Sequence, residues 1–257
     1  NDISCCKMER KIISSFMTFH QYNLHGDILL VCLRMVIKQM VKYNSENISS
    51  KVKWEGRIIS IQPRTRVWRY LIDNRTHYHL GYNLFIEGQS SDSKRQFTVA
   101  ISEKQQLKGL FRIGDLLEGT AWTKKYEERE FADYYRAGSI KLLDRINETF
   151  KVIPPPWTMM PPPIKIYEER GARMLSKSLW KTKCFKCIWA NMANVEIQWD
   201  FDRNIKKYRF ETFCYGPKSC KYYKMGRPRA VPYKKRDSAL DDGYLDELCT
   251  ASRDEND

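Results

Sequence analysis

Histidine is scarce, with four residues in a chain of 257, so an acid–base site built on imidazole has few candidates. His77 and His79 form an H-x-H pair with no carboxylate or cysteine at ligand spacing. They read as a satisfied or solvated pair rather than a metal site. The chain has no phosphate-cradling G-x-x-x-x-G-K-[ST], no G-x-G-x-x-G and no nucleophile elbow G-x-S-x-G. Glu127, Glu128 and Glu130 fall in a charged run of the kind that faces solvent. No catalytic constellation is visible, and a non-enzymatic protein is expected. A long apolar run is missing too. The best stretch, DILLVCLRMVIKQMV at 27–41, is too short to cross a bilayer and is broken by Arg34 and Lys38. Its Leu30, Leu33, Ile37, Met40 and Val41 recur at helical spacing. That predicts an amphipathic helix lying on the body of the protein or, alternatively, on a membrane surface. With no convincing signal segment, a cytoplasmic location is expected.

What is present is positive charge beside aromatic rings. The formal net charge is +14, and Phe, Trp and Tyr make up 13% of the chain. A polyanionic partner follows, nucleic acid first and an anionic membrane second. The charge is unevenly placed. Residues 164–236 hold 19 Lys and Arg against 6 Asp and Glu, a net of +13, whereas residues 237–257 hold 1 against 8, a net of −7. So acidic a tail, poor in apolar residues, reads as disordered. It is either a competitor for the basic block, a docking point for a protein partner, or a solubilising end.

The sequence divides at IPPPWTMMPPP (153–163), which holds six of the ten prolines and excludes helix and central strand. A semi-rigid spacer is expected, with a ligand for a proline-recognising domain as the other use. The division is then a helical segment at 1–50, a β-rich domain at 51–150, a linker at 151–163, a basic module at 164–236 and the tail at 237–257. Within the second part, KVKWEGRIISIQ, YNLFIEG and RQFTVAIS read as strands. EKQQLKGL reads as a short helix, and FRIGDLLEGTAWTKK and GSIKLLDRI as further strands. Five strands with a helix between the third and fourth, and the phrase FRIGDLLEGTAW after that helix, resemble OB-fold nucleic-acid-binding domains over about 95 residues. The resemblance implies a small Greek-key barrel that binds strands across one face and its loops. Arg64, Arg66, Trp68, Arg69 and Tyr70 cluster in the expected loop between the first two strands, and Trp122, Lys124, Lys125 and Tyr126 follow the fourth. These are the candidate contacts, while Trp54 is assigned to the core.

Four of the eight cysteines carry the most specific pattern. Cys184 and Cys187 form a C-x2-C turn, and Cys214 and Cys220 a second pair beyond VEIQWDF and KKYRFETF, which alternate as a hairpin around a polar turn. A hairpin of that length returns its two ends to one place, so four sulfurs can meet around a zinc ion. Over about 40 residues this resembles a zinc ribbon, with a wider second pair and a longer insert than usual. An iron–sulfur cluster and unliganded thiols are the competing readings. A four-thiolate site leaves no open coordination position, so the zinc is expected to be structural. Cys5, Cys6, Cys32 and Cys249 show no ligand spacing. Around the ribbon, Tyr222, Arg227, Arg229, Lys234, Lys235 and Arg236 mix rings and cations, a composition suited to phosphates and unpaired bases.

The expectation is therefore a mainly β protein (α+β) with an N-terminal helix, an OB-like five-stranded barrel and a zinc-ribbon-like hairpin module. Its expected partner is single-stranded DNA or RNA. A protein–protein adaptor using the zinc module, the proline run and the acidic tail is the rival.

Overall fold

The computed structural model describes residues 49–70, 75–146, 155–158, 160–200, 202–227 and 242–254. The helix expected at 27–41 and the basic positions Arg229, Lys234, Lys235 and Arg236 lie outside the described residues.

β1 (Lys51–Arg69) begins with a clean alternation. Val52, Trp54 and Ile58 are buried, and Lys51, Lys53 and Glu55 face solvent. The alternation ends at Ser60–Pro63, where every residue is buried, because protein covers both faces of the strand. β2 (Thr76–Ser90) returns along the whole length of β1, and β3 (Gln96–Ile101) pairs with β2. α1 (Glu103–Gly109) starts at a capping box in which Ser102 and Gln105 satisfy each other's backbone N–H groups. β4 (Leu116–Thr123) and β5 (Tyr134–Asp144) complete this part. The pairs β1–β2, β2–β3, β3–β5, β5–β4 and β4–β1 close a ring, and the one parallel bridge, Val99–Tyr134, joins β3 to β5. The stretch 65–83, expected as a loop, is instead strand on both sides: β1 runs to Arg69 and β2 starts at Thr76.

The C-terminal half is not a separate module. It comprises α2 (Ile164–Arg170), β6 (Arg173–Met174) and α3 (Lys177–Leu179), which continues as a π-helical turn over Trp180–Cys184. β7 (Ala190–Asp200), β8 (Ile205–Cys214) and α4 (Asp242–Cys249) follow. β7 and β8 form the expected hairpin, but β7 also pairs in parallel with the end of β1, Arg66–Arg69 beside Asn194–Ile197. All eight strands form one sheet, in the order β2-β3-β5-β4-β1-β7-β8-β6. Its core is continuous: Trp54, Val67 and Leu84 belong to the same buried cluster as Val195, Ile197 and Phe213. The protein is mainly β. The described part of the proline segment packs rather than spaces, since Tyr82 donates to the Pro162 carbonyl (2.7 Å) and Ile188 N–H to that of Trp157 (2.9 Å).

The acidic tail departs furthest from expectation. Residues 242–249 are helical, and Asp242, Leu245 and Asp246 are buried. Two arginines, one at the end of β1 and one just before β2, account for this. Arg69, fully buried, donates to Asp242 (2.8 Å) and Glu211 (2.7 Å), and Arg75 donates to Asp246 (2.7 Å). Asp246 also accepts from the Met174 backbone N–H (2.9 Å). Beyond the helix, the Arg253 guanidinium donates to the carbonyls of Arg170, Gly171 and Gly216. Gly171 sits at φ +64, where an added Cβ would stand 1.8 Å from the Cys249 carbonyl oxygen, so the approach of this terminus requires glycine. Asp242 and Asp246 are thus partners of buried arginines rather than free competitors for a basic face.

Candidate functional site

The hairpin does bring the two cysteine pairs together. In the first turn Cys187 N–H donates to the Cys184 carbonyl (2.9 Å); in the second, Cys220 N–H donates to that of Pro217 (3.2 Å). Ala190, at the start of β7, lies opposite Cys214, at the end of β8. All four thiols are free and border one cavity of about 10 Å3, walled also by Trp157 and Tyr222. That is room for a single atom-sized guest. Cys214 Sγ accepts a hydrogen bond from Gly216 N–H at 3.3 Å. Burial pushes the Cys184 and Cys187 thiols up to about 12 and raises that of Cys214, and neighbouring cysteines push each the same way, because adjacent thiolates repel. Among the described residues, no group of three or more His, Cys, Asp or Glu side chains closes into a ready cation cage. The fold supplies convergence of the two pairs, not a completed coordination sphere.

The second feature is a face of the sheet. Register places Arg66 beside Tyr78 on β2 and Asn194 on β7, and Trp68 beside Glu196 on β7. Glu196 in turn lies opposite Tyr208 on β8, and Asn194 opposite Phe210. Side chains directly paired across strands project to the same side, so one face carries Tyr78, Arg66, Trp68, Glu196, Tyr208 and Phe210. Its rings are ordered. Trp68 stacks between Tyr70 (centroids 6.4 Å apart, 18° interplanar) and Tyr78 (6.2 Å, 15°), and Tyr78 is 56% exposed. Lys206 lies 5.7 Å from the Tyr70 ring and pairs with Glu196 at 2.7 Å; the Tyr70 hydroxyl also donates to Glu196. These two partners hold the Glu196 carboxyl below the usual range against the opposing effect of burial. The Arg129 guanidinium sits over both Tyr208 (4.6 Å) and Tyr126 (4.8 Å). Cations therefore lie on ring faces, and the carboxylates beside them are paired, Glu196 with Lys206 and Glu128 with Arg129 (3.6 Å).

The residues singled out from the sequence divide between several places. Arg66 and Trp68 lie on this face. Arg64 is turned toward the β4–β5 connection and paired with Glu130. Arg69 is a correction: it is buried and ion-paired, because it falls on the inward face with Thr65 and Val67. Trp122 (39% exposed), Lys124, Lys125 and Tyr126 (40%) remain accessible at the end of β4. Tyr222 stands at the cysteine cavity with Lys183 and Lys221 near its ring, and Arg227 is exposed. Tyr78, Lys206 and Arg129 were missed; the signal available was the strand alternation that places Tyr78 beside Arg66. The rings of His77 and His79 pack against Phe213, Tyr215 and Tyr167, each with a buried Nε2 that has no hydrogen-bond partner. No helix among the described residues is long and apolar enough to cross a membrane. No known family, no curated protein and no solved structure matches this chain, so function rests on the site itself.

Proposed function

We propose that this protein is a non-enzymatic binder of single-stranded nucleic acid, built on an OB-like ring of five strands and completed by a zinc-ribbon-like hairpin with a structural zinc. The observation that carries the reading is the face on which Tyr70, Trp68 and Tyr78 stack beside Arg66, Lys206 and Arg129. Ring faces stack on unpaired bases of any sequence, and cations answer phosphates. A duplex hides its base faces, so the preference is for single strands. The ring order β1–β2–β3–β5–β4, with one helix between β3 and β4, supports the OB-like part.

The zinc reading rests on the donor set. Four thiols, two of them buried, border one small cavity, and burial and mutual repulsion favour the protonated forms of Cys184, Cys187 and Cys214 in the absence of a cation. A bound dication reverses that balance, and with four sulfur donors it supplies structural cross-linking rather than chemistry on a substrate. Cys184, Cys187, Cys214 and Cys220 would hold it.

Titration of fluorescent single- and double-stranded oligonucleotides at several salt concentrations, with elemental analysis of the same preparation, tests both halves. Expected are about one zinc per chain, tighter binding to single strands and a steep salt slope. Trp68→Ala is expected to cost on the order of 1–3 kcal/mol of binding free energy. A well-folded metal-free protein rejects the zinc; salt-insensitive or duplex-preferring binding rejects the nucleic-acid reading.

A further inference from the structure

We propose that the groove where the first cysteine turn docks on the five-stranded ring holds one unpaired nucleobase, a proposal that rests on the nucleic-acid reading above. The groove arises from a backbone constraint. Ser60 Oγ (2.6 Å) and Gln62 Nε2 (2.7 Å), both fully buried on β1, donate to the carbonyl of Phe185, the residue that follows Cys184. Gln62 Oε1 accepts from Trp180 Nε1 (3.1 Å). One strand thus orients two rings, and the Phe185 ring meets Phe85 of β2 edge-on at 4.9 Å. Phe131, from the β4–β5 connection, packs against Phe85 (5.9 Å), Trp180 (6.2 Å) and Phe210 (5.7 Å).

The enclosed groove is open to solvent and has a volume of about 440 Å3. Its rings meet at tilted and edge-on angles of 52–86°, so a flat guest can stack on one face while touching the edge of another. Phe131, Phe185 and Phe210 are only partly buried, and that leaves them reachable.

Charge decides the kind of guest. Lys177 and Lys181 line the groove and are exposed. Its one carboxylate, Asp133, is already engaged by Lys94 Nζ (2.8 Å) and the Thr98 N–H (2.9 Å). An apolar peptide side chain has no use for the lysines, whereas a base brings its own phosphate to them. The groove also continues the stacked face: Phe210 and Tyr208 lie two residues apart on β8, and Tyr208 leads across Glu196 to Tyr70 and Trp68. A strand lying on the stacked rings passes the mouth of the groove.

An abasic scan on an oligothymidylate, shortened to the minimum length that still binds, tests this by fluorescence anisotropy. A single abasic residue is walked along the strand. The expectation is one position, outside the stretch sensitive to Trp68→Ala, where the missing base weakens binding by about ten-fold or more. In Phe131→Ala that penalty disappears while the others stay, and Phe131→Tyr restores it. Phe210→Leu gives the same result should Phe131→Ala fail to fold. Penalties spread evenly along the strand, or a scan unchanged by Phe131→Ala and Phe210→Leu in a protein that still binds, overturn the proposal. Absence of oligonucleotide binding by the unaltered protein overturns the nucleic-acid reading itself, and the two failures are thereby told apart.

Discussion

The junction between the five-stranded ring and the C-terminal half is fastened at one end by neutral hydrogen bonds and at the other by charge. At the cysteine end, Ser60 and Gln62 hold the Phe185 carbonyl, and no ionised group takes part. At the far end, Arg69 lies between Glu211 and Asp242, and Arg75 meets Asp246. The neutral fastening joins a strand to a turn whose shape is already set by its own backbone bonds. The ionic one recruits acids from a segment more than 170 residues away in sequence, where local propensity gives no guidance. Burying charge is costly, and a buried ion pair is weak grounds for net stability. Its use here is selective: the arginines accept only an element that presents acids one helical turn apart, as Asp242 and Asp246 do.

The largest effect is expected on breaking the ionic end. Arg69→Met takes the central cation from two buried carboxylates, leaving Glu211 to Arg209 (2.6 Å) and Asp242 to the more distant Arg75 (3.9 Å), and should destabilise the fold by about 3 kcal/mol, read by urea unfolding. Adding Glu211→Met and Asp242→Leu should recover part of that loss, because the under-compensated carboxylates are then gone, while Arg75 keeps Asp246 and Arg209 keeps access to water. If the single substitution costs as little as an exposed one, the contrast between the two ends is wrong.

Acid should act on the same end next. His77 sits edge-on to Phe213 at 4.6 Å, with its Nδ1 3.3 Å from the Tyr215 hydroxyl. Burial lowers its pKa well below the ordinary value, helped by the charge of Arg75, and burial lowers that of His79 to about 4. A histidine with a depressed folded pKa binds more protons when unfolded. Its contribution is complete above the unfolded value of about 6.5 and is lost as pH falls from there toward 4. His79 alone should remove about 2 kcal/mol by pH 5. Asp246 works in the opposite direction, since burial raises its pKa despite Arg75 and its protonation favours the fold in acid. Thermal melts at pH 7 and pH 5 should show the loss, and His79→Phe should flatten it. A profile that is flat in the unaltered protein would break this prediction.

What the sequence discloses follows the same divide between local and distant causes. Alternation in KVKWEGRIIS marks the first half of β1 because one of its faces meets water. The second half is silent, since Ser60–Pro63 are covered on both sides by elements far away in the chain. The cysteine pairs are legible from spacing alone, as ligand geometry is written in short intervals. The tail is misread because acidity without apolar residues predicts disorder unless buried arginines await it, and Arg69 and Arg75 resemble surface cations in sequence. The groove rings are dispersed over positions 85, 131, 180, 185 and 210; only Phe185, inside its cysteine turn, had a motif to mark it.

A smaller effect is expected at the neutral end. Gln62→Leu removes one donor to the Phe185 carbonyl and the acceptor of Trp180 Nε1, while Ser60 still serves that carbonyl. One orphaned buried indole N–H amounts to about 1–3 kcal/mol. Trp180 emission should change with it, since its indole loses the partner that orients it. A loss as large as that of Arg69→Met would erase the distinction between the ends.

The smallest effect is expected at Arg64, which shares a strand with Arg69. The two lie on opposite faces, so they meet different fates: Arg69 is fully buried, whereas Arg64 retains 18% of its side-chain exposure and its partner Glu130 14%. Glu130 also accepts from the Ala132 N–H at 3.1 Å, so it keeps a hydrogen bond when the arginine is gone. Arg64→Gln, whose amide can still donate to Glu130, should therefore cost about 1 kcal/mol of stability. It should also barely alter the salt dependence of oligonucleotide binding, because a guanidinium already neutralised by Glu130 releases few counterions from phosphate. Arg66→Gln is the matched control, since Arg66 is exposed on the stacked face beside Tyr78, and it should lower the salt slope. If Arg64→Gln flattens the slope as much as Arg66→Gln does, Glu130 gives up its arginine when nucleic acid binds, and the interface reaches across the β4–β5 connection.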